Sequence, residues 1–524
     1  MRRVPCVVGV DIGTQSTKAL VVDATGRVLG TGAAAYQVDT PQPGWAQQSA
    51  DVWLEASVAS IREAVARAGA AAAVQALGIS SLGGGAGVPV DGSGTPLHPC
   101  LIWMDRRAQR EAAFVEQHLD ARRLRAISGN GIDSFYGFTK MLWLRDHEPA
   151  VWARTRHLLS PNSYVNLRLT GTLAMDHSSA GNIGAVYDIG RRAWSTEALD
   201  MLGIPAHLMP QRLLPSSEVI GALQPRWAAR LGLPAGLPVV AGGVDASAAT
   251  LAAGATRPGQ HVAMLGTSMC WGTIRQRVDA DHGLVSFPHV FNPLQDLYVF
   301  GGAMTAGGAI SWFREAFCQD EARAAREQSA DVHALLEAQA AAVPPGSDGV
   351  LFLPYLMGER SPVWDAQASG SFIGLRLTHG KGELYRSVLE GIAFALRQTI
   401  DAGALGAEAL DERLLVVGGL TRSDLCMQLI ADTCGRPVAT MGPEVEAPLG
   451  AAMLAALGIG MLDEAGARAG WATARVRAEP LAANVGRYAE LYRQYRAAYR
   501  ALRPVMHRLR ELGCAGRTAP AAGA

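Results

Sequence analysis

Residues 4–23 read VPCVVGVDIGTQSTKALVVD. Val4 to Val10 is a short valine-rich run closed by Asp11, and Ser16 to Asp23 is a second such run. β-Branched residues in runs of this length fit a pleated, half-buried surface, so both read as strands. Gly13-Thr14 lies in the turn between them, and Asp23-Ala24-Thr25-Gly26 turns the chain into a third apolar run, Arg27 to Gly30. The opening is an antiparallel meander. A Walker loop or a Rossmann fingerprint needs its glycine turn to open a helix, and here the turn opens another strand, which weakens both of those nucleotide-binding alternatives.

A related pattern returns in the middle of the chain. His261 to Leu265 and Met269 to Ile274 read as two strands joined by Gly266-Thr267-Ser268. Two copies of strand, Gly-Thr turn, strand in different halves suggest two domains of similar design facing each other across a cleft. A boundary near Gly254 gives domains at 1–254 and 255–516, and the small, polar residues 517–524 are expected to be a disordered tail. Asp51 to Gly69 and Glu383 to Gln398 are Ala-rich amphipathic stretches, read as helices covering sheets, so the fold class is layered α/β. Tyr, Leu and Arg recur at helical spacing from Tyr488 to Arg503, which predicts a long C-terminal helix whose aromatic stripe serves packing.

The 524 residues are 49% hydrophobic and 18% charged, a globular composition too long for one hydrophobic core. Lys plus Arg and Asp plus Glu both number 47, so no net field favours nucleic acid or an anionic membrane; the partner is expected to be a small molecule. Seven scattered cysteines without a C-x-x-C pair read as reduced thiols in a cytoplasmic setting. The apolar run after Met1-Arg2-Arg3 ends at Asp11, too soon for a signal peptide, and no later apolar stretch reaches membrane-spanning length.

Three constellations carry chemistry. In Asp11-Ile12-Gly13-Thr14-Gln15-Ser16-Thr17-Lys18, the carboxylate at a strand end suits a hydrated Mg²⁺. The glycine lets backbone N–H groups approach phosphate oxygens, the hydroxyls of Thr14, Ser16 and Thr17 can donate to them, and Lys18 can offset their charge. An ordinary hairpin turn with exposed polar residues fits the same letters. Gly242-Gly243-Val244-Asp245-Ala246 follows the apolar run Leu237 to Ala241; Asp245 reads either as a helix cap or as a functional carboxylate with room for a ligand beside it. Leu414 to Val417, Gly418-Gly419, Thr421-Arg422-Ser423 and Asp424 to Thr433 read as strand, glycine turn and capped helix, a turn that admits adenine or ribose but recurs in many α/β proteins.

Further segments give these turns a common setting. Gly370-Ser371-Phe372-Ile373-Gly374-Leu375, then Glu383-Leu384 after a seven-residue gap, then Ser387-Val388-Leu389-Glu390, resembles the second signature of the FGGY carbohydrate kinases throughout. Pro354-Tyr355-Leu356 and Gly358-Glu359-Arg360-Ser361-Pro362 are similar to that family's approach to it. Gly137 to Leu144 (GFTKMLWL) resembles the first signature, with Gly137 where the pattern has Pro, Ser or Thr. The resemblance is closest to the xylulokinase-like branch and spans nearly the whole chain.

It implies two ribonuclease-H-like domains of the actin and hexokinase ATPase type, closing over ATP and a sugar or polyol. Under it, Asp11 holds Mg²⁺, and Gly13, Thr14, Gln15, Ser16, Thr17 and Lys18 form the first phosphate loop. Gly266, Thr267 and Ser268 form the second, Gly418, Gly419 and Ser423 the adenosine turn, and Asp245 matches the catalytic base. Gly307-Gly308 and Ala447 to Ala452 (APLGAA) fall where the family approaches the nucleotide or the hinge. Trp103-Met104-Asp105-Arg106-Arg107 resembles the family's stretch near the sugar: Trp103 packs on a sugar face, while Asp105 and Arg107 either bond hydroxyls or pair with each other. Xylulokinases carry Gln-Met-His-Gly after the preceding strand; here the chain reads Ser80-Ser81-Leu82-Gly83-Gly84-Gly85, which predicts a wider pocket at Gly84 and an acceptor other than D-xylulose. A homodimer stays open. An actin-like ATP-binding switch protein without a small acceptor is the competing reading, against which the chain offers no basic segment for DNA.

Overall fold

The computed structural model describes residues 4–69, 73–277, 283–327, 331–404, 409–442 and 446–515. The tail expected at 517–524 lies outside them. Two compact units make up the chain: Met1–Gln260 with Gly272–Val299 and Gly442–Thr473, and His261–Trp271 with Phe300–Met441 and Ala474–Ala524.

The first unit is built on the opening meander. Strands β1 (Cys6–Ile12), β2 (Ser16–Asp23) and β3 (Val28–Ala35) pair antiparallel in sequence order. The sheet continues from β1 to β4 (Val74–Ser81), parallel to it. Beyond β4 lie β6 (Pro238–Val240) and β5 (Val219–Ala222), in the order β5-β6-β4-β1-β2-β3, and β7 (Gly243–Val244) also pairs with β4. The central strands are buried on both faces, which is why β1 reads as a nearly continuous apolar run. Helix Ala50–Ala68 covers β3 with Trp53, Leu54, Val58, Ile61 and Val65, a stripe at three- and four-residue spacing, and ends at Gly69 in the left-handed region.

In the second sheet β8 (His261–Leu265) leads through Gly266-Thr267-Ser268 into β9 (Met269–Arg275). Strands β10 (Leu414–Val417) and β11 (Val438–Thr440) follow β8 in parallel, and β12 (Arg475–Ala478) closes that side antiparallel. The second signature starts on strand Ser371–Ile373, and its later part, Glu383-Leu384 and Ser387 to Glu390, lies on helix Lys381–Gly403. Its Glu390 is a buried hub whose carboxylate accepts from Gly346 N, Ser347 Oγ, Arg386 Nε and Tyr488 Oη. Helix Ala482–Ala515 buries Tyr488, Tyr492 and Tyr495 against Phe394, so the aromatic stripe packs as expected.

The α/β class read from the sequence is the architecture observed. Cys6, Cys100, Cys270, Cys318, Cys426 and Cys434 are free thiols, and no described helix is long and apolar enough to cross a membrane.

Candidate active site

Two carboxylates meet at the carboxyl ends of parallel strands, the usual place for a ligand in an open α/β sheet. Asp11 stands opposite Lys18 on β2 and Ser80 on β4, and Gly243 and Val244 of β7 pair with Ser80 and Ser81. Asp245 comes next and is the first residue of helix Asp245–Ala252. Its Oδ1 accepts from the adjacent Ala246 N–H at 2.6 Å, and Val244 occupies the cap position, so Asp245 is not the helix cap. Gly242 has φ +75°, and a Cβ there would lie 1.8 Å from the Ile79 carbonyl; only glycine lets the chain cross β4 this closely and deliver Asp245 to the strand ends. Burial, and next the charge of Asp245, push the Asp11 carboxyl well above the usual carboxylate range, against the hydrogen bond from Ser80 Oγ at 2.8 Å and the nearby Lys18 charge.

The loop after β1 is held from beneath. Tyr36 Oη donates to the Gly13 carbonyl at 2.7 Å, Gln48 Nε2 to the Thr14 carbonyl at 2.7 Å, and Trp103 Nε1 to Thr14 Oγ1 at 3.1 Å. Tyr36 N–H donates to the Gln15 carbonyl. Gly13, Thr14 and Ser16 are partly exposed and Gln15 exposed. Thr17 corrects its sequence reading: strand alternation turns it inward, where it is fully buried and its hydroxyl pairs with Tyr36 Oη at 3.2 Å, so it holds the loop and does not face phosphate. Lys18 is exposed and paired with Glu446 at 2.6 Å. Glu446 occupies the cap position of helix Ala447–Gly458, which begins with the APLGAA segment and packs on β1 and on the Asp245 helix.

The loop after β4 corrects another expectation. Its glycines do not open a wider space: neighbouring groups occupy the positions their side chains would take. A Cβ at Gly83 would lie 2.3 Å from Asn182 Oδ1, one at Gly84 3.0 Å from both Phe135 and Trp103, and one at Gly85 3.2 Å from Cys100 Sγ. The cavity lined by Gly83, Gly84, Gly85, Ser179 and Ile183 holds about 20 Å³. Gly84 donates its N–H to Asn182 Oδ1, and its carbonyl accepts from Lys140 Nζ at 2.6 Å. Lys140 also donates to the Phe135 carbonyl, and burial lowers its pKa to about 7.

Asp105 takes the pairing role of its two readings. Fully buried, it accepts from Ala46 N, from Arg107 N and from the Arg107 guanidinium at 2.8 Å, so a sugar hydroxyl does not reach it as a free acceptor. The guanidinium in turn lies 3.7 Å over the Trp45 ring. Removing one partner of a buried pair strands the other, so Asp105→Ala is expected to lower unfolding free energy by about 3–5 kcal/mol. Urea denaturation checks it; unchanged stability with a raised acceptor KM would return Asp105 to the sugar.

In the second unit the Gly-Thr turn and the Gly307-Gly308 pair come together. Ala306 N and Gly308 N donate to the Thr267 carbonyl and Gly307 N to the Gly266 carbonyl, each at 2.9 Å, while Gly266 N bonds Ser268 O across the turn. Because β8 and β10 are parallel in register, Gly418 leaves the sheet at the same end as Gly266. Gly307, Ser311, Glu337, Tyr385, Gly419 and Ser423 line one cavity of about 410 Å³, within the range of small-ligand sites. Ser423 also caps helix Asp424–Cys434, its hydroxyl accepting from Cys426 N.

Sequence reasoning missed the groups that brace these turns. Arg360 Nε donates to the Gly302 carbonyl and its Nη2 to the Met269 carbonyl, each at 3.0 Å, tying the residue after the second turn to the segment before Gly307. Glu359 Oε1 accepts from Met304 N, and burial raises its pKa to about 8. Two adjacent charged residues inside an otherwise apolar, Pro-flanked stretch were the available signal.

Comparison with known proteins assigns the class and the family. Residues 6–252 match the N-terminal domain, and residues 261–459 the C-terminal domain, of the FGGY family of carbohydrate kinases. A xylulose kinase of Lactococcus lactis is 30% identical over 518 residues, covering 97% of this chain and 99% of that protein. A gluconokinase of Bacillus licheniformis is 28% identical, covering 87% and 88%. The crystal structure of xylulose kinase from Rhodospirillum rubrum superposes with a TM-score of 0.86 at 30% identity, covering 96% of this chain and 100% of that one. The protein is a carbohydrate kinase. The chain belongs to the FGGY family, whose phosphoryl donor is ATP.

Proposed function

We propose that this kinase phosphorylates a hydroxyl of a small ketose, a pentulose first among them, or of a polyol, with Asp245 as general base. The observation that carries the reading is the meeting of Asp11 and Asp245 at the carboxyl ends of parallel strands, where burial and the Asp245 charge resist ionisation of Asp11. Two such carboxylates divide naturally between a cation and a proton. Among the described residues no group of three or more His, Cys, Asp or Glu gathers as metal ligands. A single carboxylate still suits Mg²⁺, which completes its shell with phosphate oxygens and water. Asp11 would hold it, and the ion when bound offsets charge on the transferring phosphoryl group.

The chain's own groups do the rest. Asp245 heads a helix, whose N-terminal end favours the ionised carboxylate that a base must be. It takes the proton of the attacking hydroxyl as that oxygen moves in line on the γ-phosphorus and the bond from that phosphorus to the bridging oxygen of the departing ADP breaks. The N–H groups of Thr14 and Gln15 and of Thr267 and Ser268 donate to phosphate oxygens, Lys18 exchanges Glu446 for phosphate, and the 410 Å³ cavity receives adenosine.

Pentuloses, hexuloses and polyols tested for ADP release, with phosphorylated product confirmed by mass, test the reading; ADP without sugar phosphate from any of them would refute it. Xylulose kinases and a gluconokinase are similar to this chain, yet residues 83–85 present no side chain to a sugar. A sugar hydroxyl taken out of water without a partner costs about 1–3 kcal/mol. D-Xylulose is therefore expected to have kcat/KM at least about tenfold below the best acceptor. If D-xylulose is the best substrate, the loop has no bearing on specificity.

A further inference from the structure

We infer that Asn182 is a specificity-determining residue for the acceptor: its side-chain carbonyl fixes Gly84, and its amide nitrogen donates to an acceptor hydroxyl beside Asp245. The inference rests on Asp245 marking the acceptor site, and it names the group that reads the sugar where the glycine loop has no side chains.

Asn182 ends the short helix His177–Asn182 and is 2% exposed. The Gly84 N–H is a donor, so the atom meeting it must be the amide oxygen, and the assignment of oxygen and nitrogen follows from the bond itself. Its Nδ2 then carries two N–H groups with no hydrogen-bond partner among the described residues, and it is not among the buried polar atoms sealed off without one. A donor this deep loses free energy unless something reaches it, and what can reach it must bring an acceptor oxygen.

The place is set by Gly83. A Cβ on Gly83 would lie 2.3 Å from Asn182 Oδ1 and 3.3 Å from Val244 Cγ1, so Asn182 and the residue before Asp245 bracket the same glycine. The side chain is held. Asp176 caps its helix through Ser179 N, Ser178 Oγ accepts from Val244 N at 3.0 Å, and Lys140 holds the Gly84 carbonyl while Asn182 holds its N–H. A group fixed from both sides loses little freedom on binding, which suits hydroxyl discrimination.

Asn182→Asp keeps the carbonyl-type acceptor for Gly84 and removes both donors. The test measures kcat/KM for the best acceptor and its mono-deoxy analogues in wild type and variant, a cycle in which the added charge acts on all analogues alike. In wild type one analogue is expected to lose at least about tenfold; in the variant that loss shrinks to within about twofold, acceptor KM rises about tenfold, and KM for ATP stays within about twofold. A variant that keeps wild-type discrimination at every position overturns the inference. Asn182→Ala, which lacks the same donors, carries the test if the Asp variant does not fold. Wild-type protein that phosphorylates no sugar would instead overturn the parent reading, and this one with it.

Discussion

Asp245→Asn is expected to lower kcat by roughly two to four orders of magnitude while ATP and acceptor still bind. The substitution preserves shape and an oxygen for the Ala246 N–H, so the helix start and the Gly242 crossing keep their geometry. What disappears is the acceptor for the hydroxyl proton at the moment the oxygen attacks phosphorus. The substrate hydroxyl is then a poor nucleophile in a correctly built site, a defect in kcat with acceptor KM changed little. At pH 8 the variant should unfold at or slightly above the wild-type midpoint, because it removes no packing and relieves the buried Asp11 carboxyl of a neighbouring like charge. Initial rates by ADP release, with sugar phosphate measured by mass, decide the matter. Retention of more than about a tenth of wild-type kcat would move the base elsewhere.

Much of this site was legible because it lies on local patterns. The β1 to β3 meander is spelled by alternating valines and turn residues, and the Gly-Thr turns stand between strands as their letters require. Side-chain direction was less legible. Thr17 and Ser16 are adjacent hydroxyls in a phosphate-like motif, but the two-residue strand period sends Thr17 to the core, and only the register of β1 against β2 decides which of them turns inward. Asp105 was balanced between ligand and pair for the same reason: local sequence does not reveal that Ala46, far away in the chain, donates to it.

The glycines at 83–85 show the opposite limit. Sequence alone treats a missing side chain as vacant space, whereas here Asn182, Trp103, Phe135 and Cys100 approach the backbone and fill it. Those neighbours come from three separate segments, and no spacing rule links them. Arg360 and Glu359 escaped for a related reason, since the carbonyls and N–H groups they brace, at Gly302, Met269 and Met304, lie far off in the chain and leave no mark in the local sequence.

Asp11→Asn is expected to cut turnover by about two to three orders of magnitude and to make the apo-protein more stable at neutral and alkaline pH. The two effects share one cause. Burial and the Asp245 charge raise the folded-state pKa of Asp11, so between the unfolded value of about 4 and the raised one the folded state binds the extra proton. Stability from this group is therefore complete below the unfolded pKa and is lost as pH rises through the folded pKa. Asparagine carries no charge to desolvate and can still accept from Ser80 Oγ, so the variant escapes that loss. Its unfolding midpoint should exceed that of wild type by about 1–3 °C at pH 8 and match it near pH 4. Binding of Mg²⁺ with ATP to wild type should expel the proton, which calorimetry in buffers of different ionisation enthalpy reads as proton release below the raised pKa. Asp11→Asn should release none and bind ATP equally with and without chelator. Wild-type ATP affinity that is indifferent to chelator would remove Asp11 from the metal, leaving it a buried acid that acts through its charge on Asp245.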